Sequence, residues 1–122
     1  IMDAFGLPKK TEAEKAARQQ AVQEATRYAT EVPFKTMRLC YECMSVAKAM
    51  AETGNPNSVT DAGVGALAAR AGVMGAFLNV KINAAGLEDK AFAADIIRQG
   101  ETIAEKASQL EAEILGIVNS KI

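Results

Sequence analysis

Residues 91–118 read AFAADIIRQGETIAEKASQLEAEILGIV, the most regularly patterned stretch of the chain. Phe92, Ile96, Gly100, Ile103, Ala107, Leu110, Ile114 and Val118 recur at spacings of three and four, with Glu, Lys and Gln between them. On an α-helix those positions share one stripe, the seam of a bundle or coiled coil. A half-buried strand would alternate in twos, and no part of the chain does so.

Upstream, Asp89 can cap this helix and Gly86 ends the one before. From Ser58 to Ala84 only Asp61, Arg70 and Lys81 carry charge, so the third helix is apolar almost all round and is expected to be central. It also holds Gly63, Gly65, Gly72 and Gly75. Each costs ~1 kcal/mol against alanine in a helix interior, about 4 kcal/mol together. Close packing against another helix, a symmetry mate or a ligand would offset that. Asn55 to Ser58 is a turn, and Gly54 is placed to end the preceding helix in a left-handed conformation. Along that helix Met37, Tyr41, Met44, Ala47 and Ala51 make one apolar face. Pro33 either opens it or bends a continuous helix that starts further back. Thr11 and Glu14 fit a capping box, followed by a thin stripe of Ala13, Ala17, Val22, Ala25, Ala29 and Val32. Ile1, Met2 and Phe5 before Gly6 and Pro8 read as the last turn of a helix with nothing in front. A lone turn nucleates poorly, so the expectation is a chain that begins inside a longer polypeptide.

The fold class is therefore all-α: an antiparallel bundle of long helices in one domain, residues 1–122. Fourteen basic against fifteen acidic residues leave a net charge of -1, with no field to gather nucleic acid or coat an anionic membrane. The longest uncharged run of the glycine-rich region, residues 71–80, falls short of the ~20 apolar residues of a membrane helix. Neither nucleic acid nor membrane is an expected partner. Two cysteines without an export signal point to reduced thiols in the cytoplasm. Histidine is absent, which excludes His-based catalysis and His metal ligation within these residues.

Four sets of residues could carry chemistry. Cys40 and Cys43 have CxxC spacing, but no second pair completes a zinc site, and they lie inside a helix; they read as core. Asp61, in the first turn of the apolar helix, is either an acid stabilising its own helix or a partly buried carboxyl group that exchanges a proton. Asn79 and Asn83 share a face with Gly72, Gly75 and Ala76. They either bridge helices or form a groove that takes a flat heterocycle and bonds its edge. Lys9 and Lys10 could meet an anionic tail, although paired loop lysines are ordinarily solvated.

Read in order, DAFGLPK at 3–9, EVP at 31–33, GNPNSVTDA at 54–62, GAFLNVKIN at 75–83 and DKAF at 89–92 resemble the formimidoyltransferase-cyclodeaminase family, specifically its all-helical cyclodeaminase domain. The match spans nearly the whole chain; Thr60 stands where serine is expected, and the hydroxyl is kept. The resemblance implies a dimer-forming bundle, a homodimer. It also implies N-terminal helices and a Pro-Gly-rich segment that are not among these residues, so that this chain holds only part of a site. The implied reaction is folate one-carbon chemistry on a tetrahydrofolate derivative, with no metal and no cofactor beyond that substrate. N10 of 5-formiminotetrahydrofolate attacks the formimino carbon and ammonia leaves, giving 5,10-methenyltetrahydrofolate. Positioning and one proton relay suffice. The resemblance casts Asp61 as the acid–base residue. Asn57, Ser58, Asn79 and Asn83 would orient the pterin and one-carbon unit, with Lys9 at the glutamyl tail. A rival within the family is methenyltetrahydrofolate cyclohydrolase, which hydrolyses the methenyl bridge. A rival of another class is a non-catalytic module that dimerises through the seam of the last helix.

Overall fold

Thr11 opens the longest helix. Its hydroxyl accepts from the Glu14 amide at 3.1 Å while Glu14 Oε2 accepts from the Thr11 amide at 3.1 Å, completing the capping box. In the computed structural model, which describes residues 1–122, this helix is α2 (Glu12–Thr53), preceded by the single turn α1 (Met2–Phe5). A 3-10 turn, Pro56–Ser58, leads into α3 (Val59–Ala85), and α4 (Lys90–Asn119) completes the chain. No strand is present. The orphan turn α1 is held from α2, where Arg18 donates to the Phe5 carbonyl at 3.2 Å and lies over its ring.

Pro33 does not divide α2. Of the two alternatives the continuous helix holds, running through the proline to Thr53. Proline has no N–H to give the carbonyl four residues back, here that of Ala29. That carbonyl instead accepts from Nδ2 of Asn83 on α3 at 2.7 Å. The neighbouring helix supplies the donor that the proline lacks.

The three long helices pack with α3 antiparallel to both others. Cys40 of α2 meets Gly72 of α3, and Gly63 and Phe77 of α3 meet Val118 and Gly100 of α4. Met37, Met44 and Ala51 of α2 are buried, as their spacing predicts. On α4, Ile96, Gly100, Ala107, Ile114 and Val118 are buried, and Phe92, Ile103 and Leu110 pack against the same core. The seam is thus spent inside the chain, which removes it as the surface of a dimerisation module. Gly100 is required here, because a Cβ would strike the Phe77 ring.

Three expectations need correction. Gly54 is not left-handed: its φ is -72°, and no glycine has positive φ. The chain leaves α2 extended, and the last carbonyls of the helix find donors elsewhere. Lys121 Nζ donates to Ala51 O at 2.6 Å and to Glu52 O at 2.7 Å. Glycine is still needed at 54, since a Cβ would collide with the Met50 carbonyl. Secondly, the thin apolar stripe at the start of α2 is covered only in part: Val22, Ala25 and Ala29 are half-buried and Val32 is exposed. Ala13 and Ala17 are exposed, because α2 is 42 residues against 27 for α3 and its first turns overhang the bundle.

Thirdly, α3 is not enclosed. One side is buried, while Val64, Leu78 and Ile82 are 64%, 61% and 72% exposed. By length and composition alone, Pro56–Ala85 is long and apolar enough to cross a membrane. Counting uncharged runs missed this because Arg70 and Lys81 interrupt them. Of the four glycines in α3, Gly63 and Gly72 sit against α4 and α2, whereas Gly65 and Gly75 face open space.

Candidate functional site

Two grooves lie between α2 and α3. The larger, about 580 Å³, is lined on the α2 side by Cys43, Val46, Ala47 and Met50. Gly54, Asn55 and Ser58 form its end wall, and Asp61, Ala62 and Gly65 its α3 side. The smaller, about 480 Å³, is lined by Ala29, Val32, Pro33 and Thr36 of α2 with Gly72, Gly75, Ala76, Asn79 and Asn83 of α3. The α2 residues of one groove recur fourteen positions later in the other, and Asp61, Ala62 and Gly65 recur as Gly75, Ala76 and Asn79. Fourteen residues are close to four helical turns, so both grooves occupy one face of the α2–α3 pair. The contact of Cys40 Sγ with Gly72 lies between them.

The larger groove has one carboxylate. Asp61 stands in the first turn of α3, exposed and in no ion pair. It is thus exposed rather than partly buried, while its carboxylate still lines the groove. Ser58 is the N-cap residue, but its hydroxyl makes no capping hydrogen bond, which leaves it free toward the groove. Asn55 was not singled out by itself in the sequence, though it lies within the GNPNSVTDA stretch. Its Oδ1 accepts from the Asn57 amide at 3.0 Å, which tightens the 3-10 turn and leaves its Nδ2 for another acceptor. Asn57 is exposed and does not line the groove. Cys43 and Cys40 diverge: Cys40 packs against the core, while Cys43 is exposed on the groove wall and corrects the reading of both as core.

In the smaller groove the expected surface of Gly72, Gly75, Ala76, Asn79 and Asn83 is present. The two amides are partly engaged. Asn79 Nδ2 donates to Gly75 O within its own helix at 3.1 Å, and Asn83 Nδ2 bridges to α2. Both carbonyl oxygens remain as acceptors.

The structure does not bring all the predicted residues together. Asp61 and Asn79 are eighteen residues apart on one helix, about 27 Å at 1.5 Å per residue. Lys9 precedes the N-terminal end of α2, while Asp61 lies beside its C-terminal turns, on the order of 50 Å away. Asp61, Ser58 and Asn55 form one cluster; Asn79 and Asn83 form another; Lys9 joins neither. Of the residues missed, Val46 and Met50 line the groove from α2 opposite Asp61 and Asn55 from the connecting turn, and periodicity within one helix carries no record of what opposes it. No three Cys, Asp or Glu side chains come together as a metal-binding group.

A family model described as formiminotransferase-cyclodeaminase matches residues 1–102. A protein of Methylorubrum extorquens named methenyltetrahydrofolate cyclohydrolase is 45% identical over all 122 residues, which cover 59% of its length. The formimidoyltransferase-cyclodeaminases of Mus musculus and Gallus gallus are 30% and 32% identical over 120 residues, 98% of this chain and 22% of each protein. The chain thus spans little more than half of one relative and under a quarter of the others. With a family model covering most of its length, the chain belongs to the formiminotransferase-cyclodeaminase family of folate one-carbon enzymes.

Proposed function

We propose that this chain forms the one-carbon groove of a methenyltetrahydrofolate cyclohydrolase, working as a homodimer in the cytoplasm. The observation that carries the reading is the 45% identity, end to end, with a protein of that name, against 30% and 32% for two proteins named as cyclodeaminases. This reverses the order in which the resemblance ranked the two activities. The geometry is compatible. A groove of about 580 Å³ with apolar walls and a few polar groups at one end has the size and character of a small-molecule site.

In the proposed reaction, water adds to the bridging carbon between N5 and N10 of 5,10-methenyltetrahydrofolate. The carbon–N5 bond then breaks, leaving 10-formyltetrahydrofolate and one released proton. Asp61 accepts the proton of the attacking water and returns one to N5 as that nitrogen departs. Ser58 and Asn55 orient the water and the one-carbon unit; Asn57 holds the turn through its backbone amide. Asn79 and Asn83 are reached by the same ligand only if it spans both grooves, and Lys9 lies beyond either, so we give them no part in bond breaking. Cyclodeaminase activity is the second reading, favoured by the mouse and chicken relatives.

The near-UV band of the methenyl group separates the two. Purified protein should accelerate loss of that band from 5,10-methenyltetrahydrofolate above the uncatalysed rate and produce no gain of it from 5-formiminotetrahydrofolate. Asp61→Asn should lower kcat by about 10²–10⁴-fold, the usual worth of a general acid–base group. The opposite pair of traces would move the assignment to the cyclodeaminase. No acceleration with either substrate would remove the enzymatic reading.

A further inference from the structure

The groove that holds Asp61 is walled at one end by the turn between α2 and α3, and that turn is tied down from the far end of the chain. Helix α2 has no basic residue in its last turn, so nothing on the helix itself offsets the negative end of its dipole. Its terminal carbonyls at Ala51 and Glu52 have no left-handed cap to satisfy them. A single ammonium group from the other end of the sequence serves both, with Lys121 Nζ 2.6 Å from Ala51 O and 2.7 Å from Glu52 O. Gly54, the residue from which the groove wall begins, follows two positions later.

Two further contacts converge on the same corner. Val118 and Leu115 of α4 lie 3.5 and 3.6 Å from the Cβ position of Gly63, two residues from Asp61. Glu113 of α4 pairs with Lys48 of α2 at 2.5 Å, joining the helices one turn before the cap. These α4 residues and Lys121 all lie beyond residue 102, where the match to the family model ends. The opposite end of the bundle is held differently. There Gln23 of α2 clasps the α3–α4 turn, accepting from the Glu88 amide at 2.9 Å and donating to Gly86 O at 3.2 Å.

We propose that Lys121 is a positioning residue of the Asp61 groove: it fixes the end of α2 and thereby the Asn55–Ser58–Asp61 wall against which substrate is held. In its catalytic consequence this rests on the reading of that groove as the one-carbon site. The tethering itself does not. Lys121→Met keeps the aliphatic stem and removes the donors, and Lys121→Arg keeps donors and charge.

Two readouts on the full chain decide the matter. The first is amide hydrogen exchange by NMR. Gly54, Asn57 and Ser58 each have a bonded amide in this turn. In Lys121→Met their exchange should quicken about tenfold, the factor set by 1.4 kcal/mol. The amides of Gly86, Leu87 and Glu88 should be unchanged, and Lys121→Arg should restore protection. Unchanged exchange at residues 54–58, or equal quickening at both turns, would overturn the tether. The second readout is turnover of methenyltetrahydrofolate. kcat/KM should fall about tenfold in Lys121→Met, through kcat as well as KM because the loosened wall carries both the holding and the acid–base groups, and Lys121→Arg should return it. An active wild type whose kcat/KM ignores the substitution would overturn the catalytic part. A wild type without turnover would sink the cyclohydrolase reading, while exchange still decides the tether.

Discussion

At Gly100 the absence of one carbon sets the spacing of two helices. The Phe77 ring occupies the place a Cβ would take, and both residues are buried. Gly100→Ala should therefore cost about 1–3 kcal/mol through overpacking, even though alanine is the better helix former. Urea unfolding measures it, and Phe77→Leu in the Gly100→Ala background should recover part of the loss. A Gly100→Ala variant as stable as the parent would show that the helices separate freely. Position 100 was legible in the sequence as a member of the α4 seam, but not as a cavity. Its partner lies 23 residues away on another helix, and no spacing rule on α4 identifies that partner. The capping box at Thr11 and Glu14 was legible in full, because every atom it uses lies within four residues.

Helices were readable where their own periodicity fixes them, and less so where a neighbour intervenes. The face of Met37, Met44 and Ala51 and the seam of α4 follow from spacing alone; the first is buried, and the seam is buried or packed against the core. The continuity of α2 through Pro33 does not, since it depends on an amide from α3 meeting the Ala29 carbonyl. This makes an element-scale prediction. Asn83→Ala leaves that partly buried carbonyl without a donor and should cost about 1–3 kcal/mol. Pro33→Ala restores a backbone N–H at residue 33, which can serve the same carbonyl in the ordinary helical way. In the Pro33→Ala background the cost of Asn83→Ala should shrink, a coupling that a double-mutant cycle reads directly. Additive effects would mean that Asn83 stabilises the pair through something other than the proline's missing donor. The expected left-handed end at Gly54 failed for a related reason: Lys121 caps the helix from 69 and 70 residues away, so no local left-handed cap is required.

For the whole molecule, the telling feature is a helix that is apolar on two sides and covered on one. The sequence made α3 central, and in this chain α2 and α4 cover only part of it. The uncovered side carries Val64, Leu67, Leu78 and Ile82, continued on α2 by Val32, Leu39, Val46 and Met50, all exposed. Contiguous apolar surface of this kind marks an interaction site on a soluble protein. Gly65 and Gly75, which cost helix stability and meet nothing within 4 Å, would let a partner on this face approach the backbone closely. If that partner is a second copy, as the proposed homodimer requires, one charge on the face should separate the copies without unfolding either. Sedimentation equilibrium should give twice 12.9 kDa for the parent chain and 12.9 kDa for Leu78→Glu, with helical circular dichroism retained. Both grooves lie on the α2–α3 face, so on the proposed reading association would also bear on substrate access. The Leu78→Glu chain should then lose turnover in step with its loss of dimer. A parent chain that sediments as a monomer at every concentration assayed would assign the face to another occupant and leave the homodimer without support.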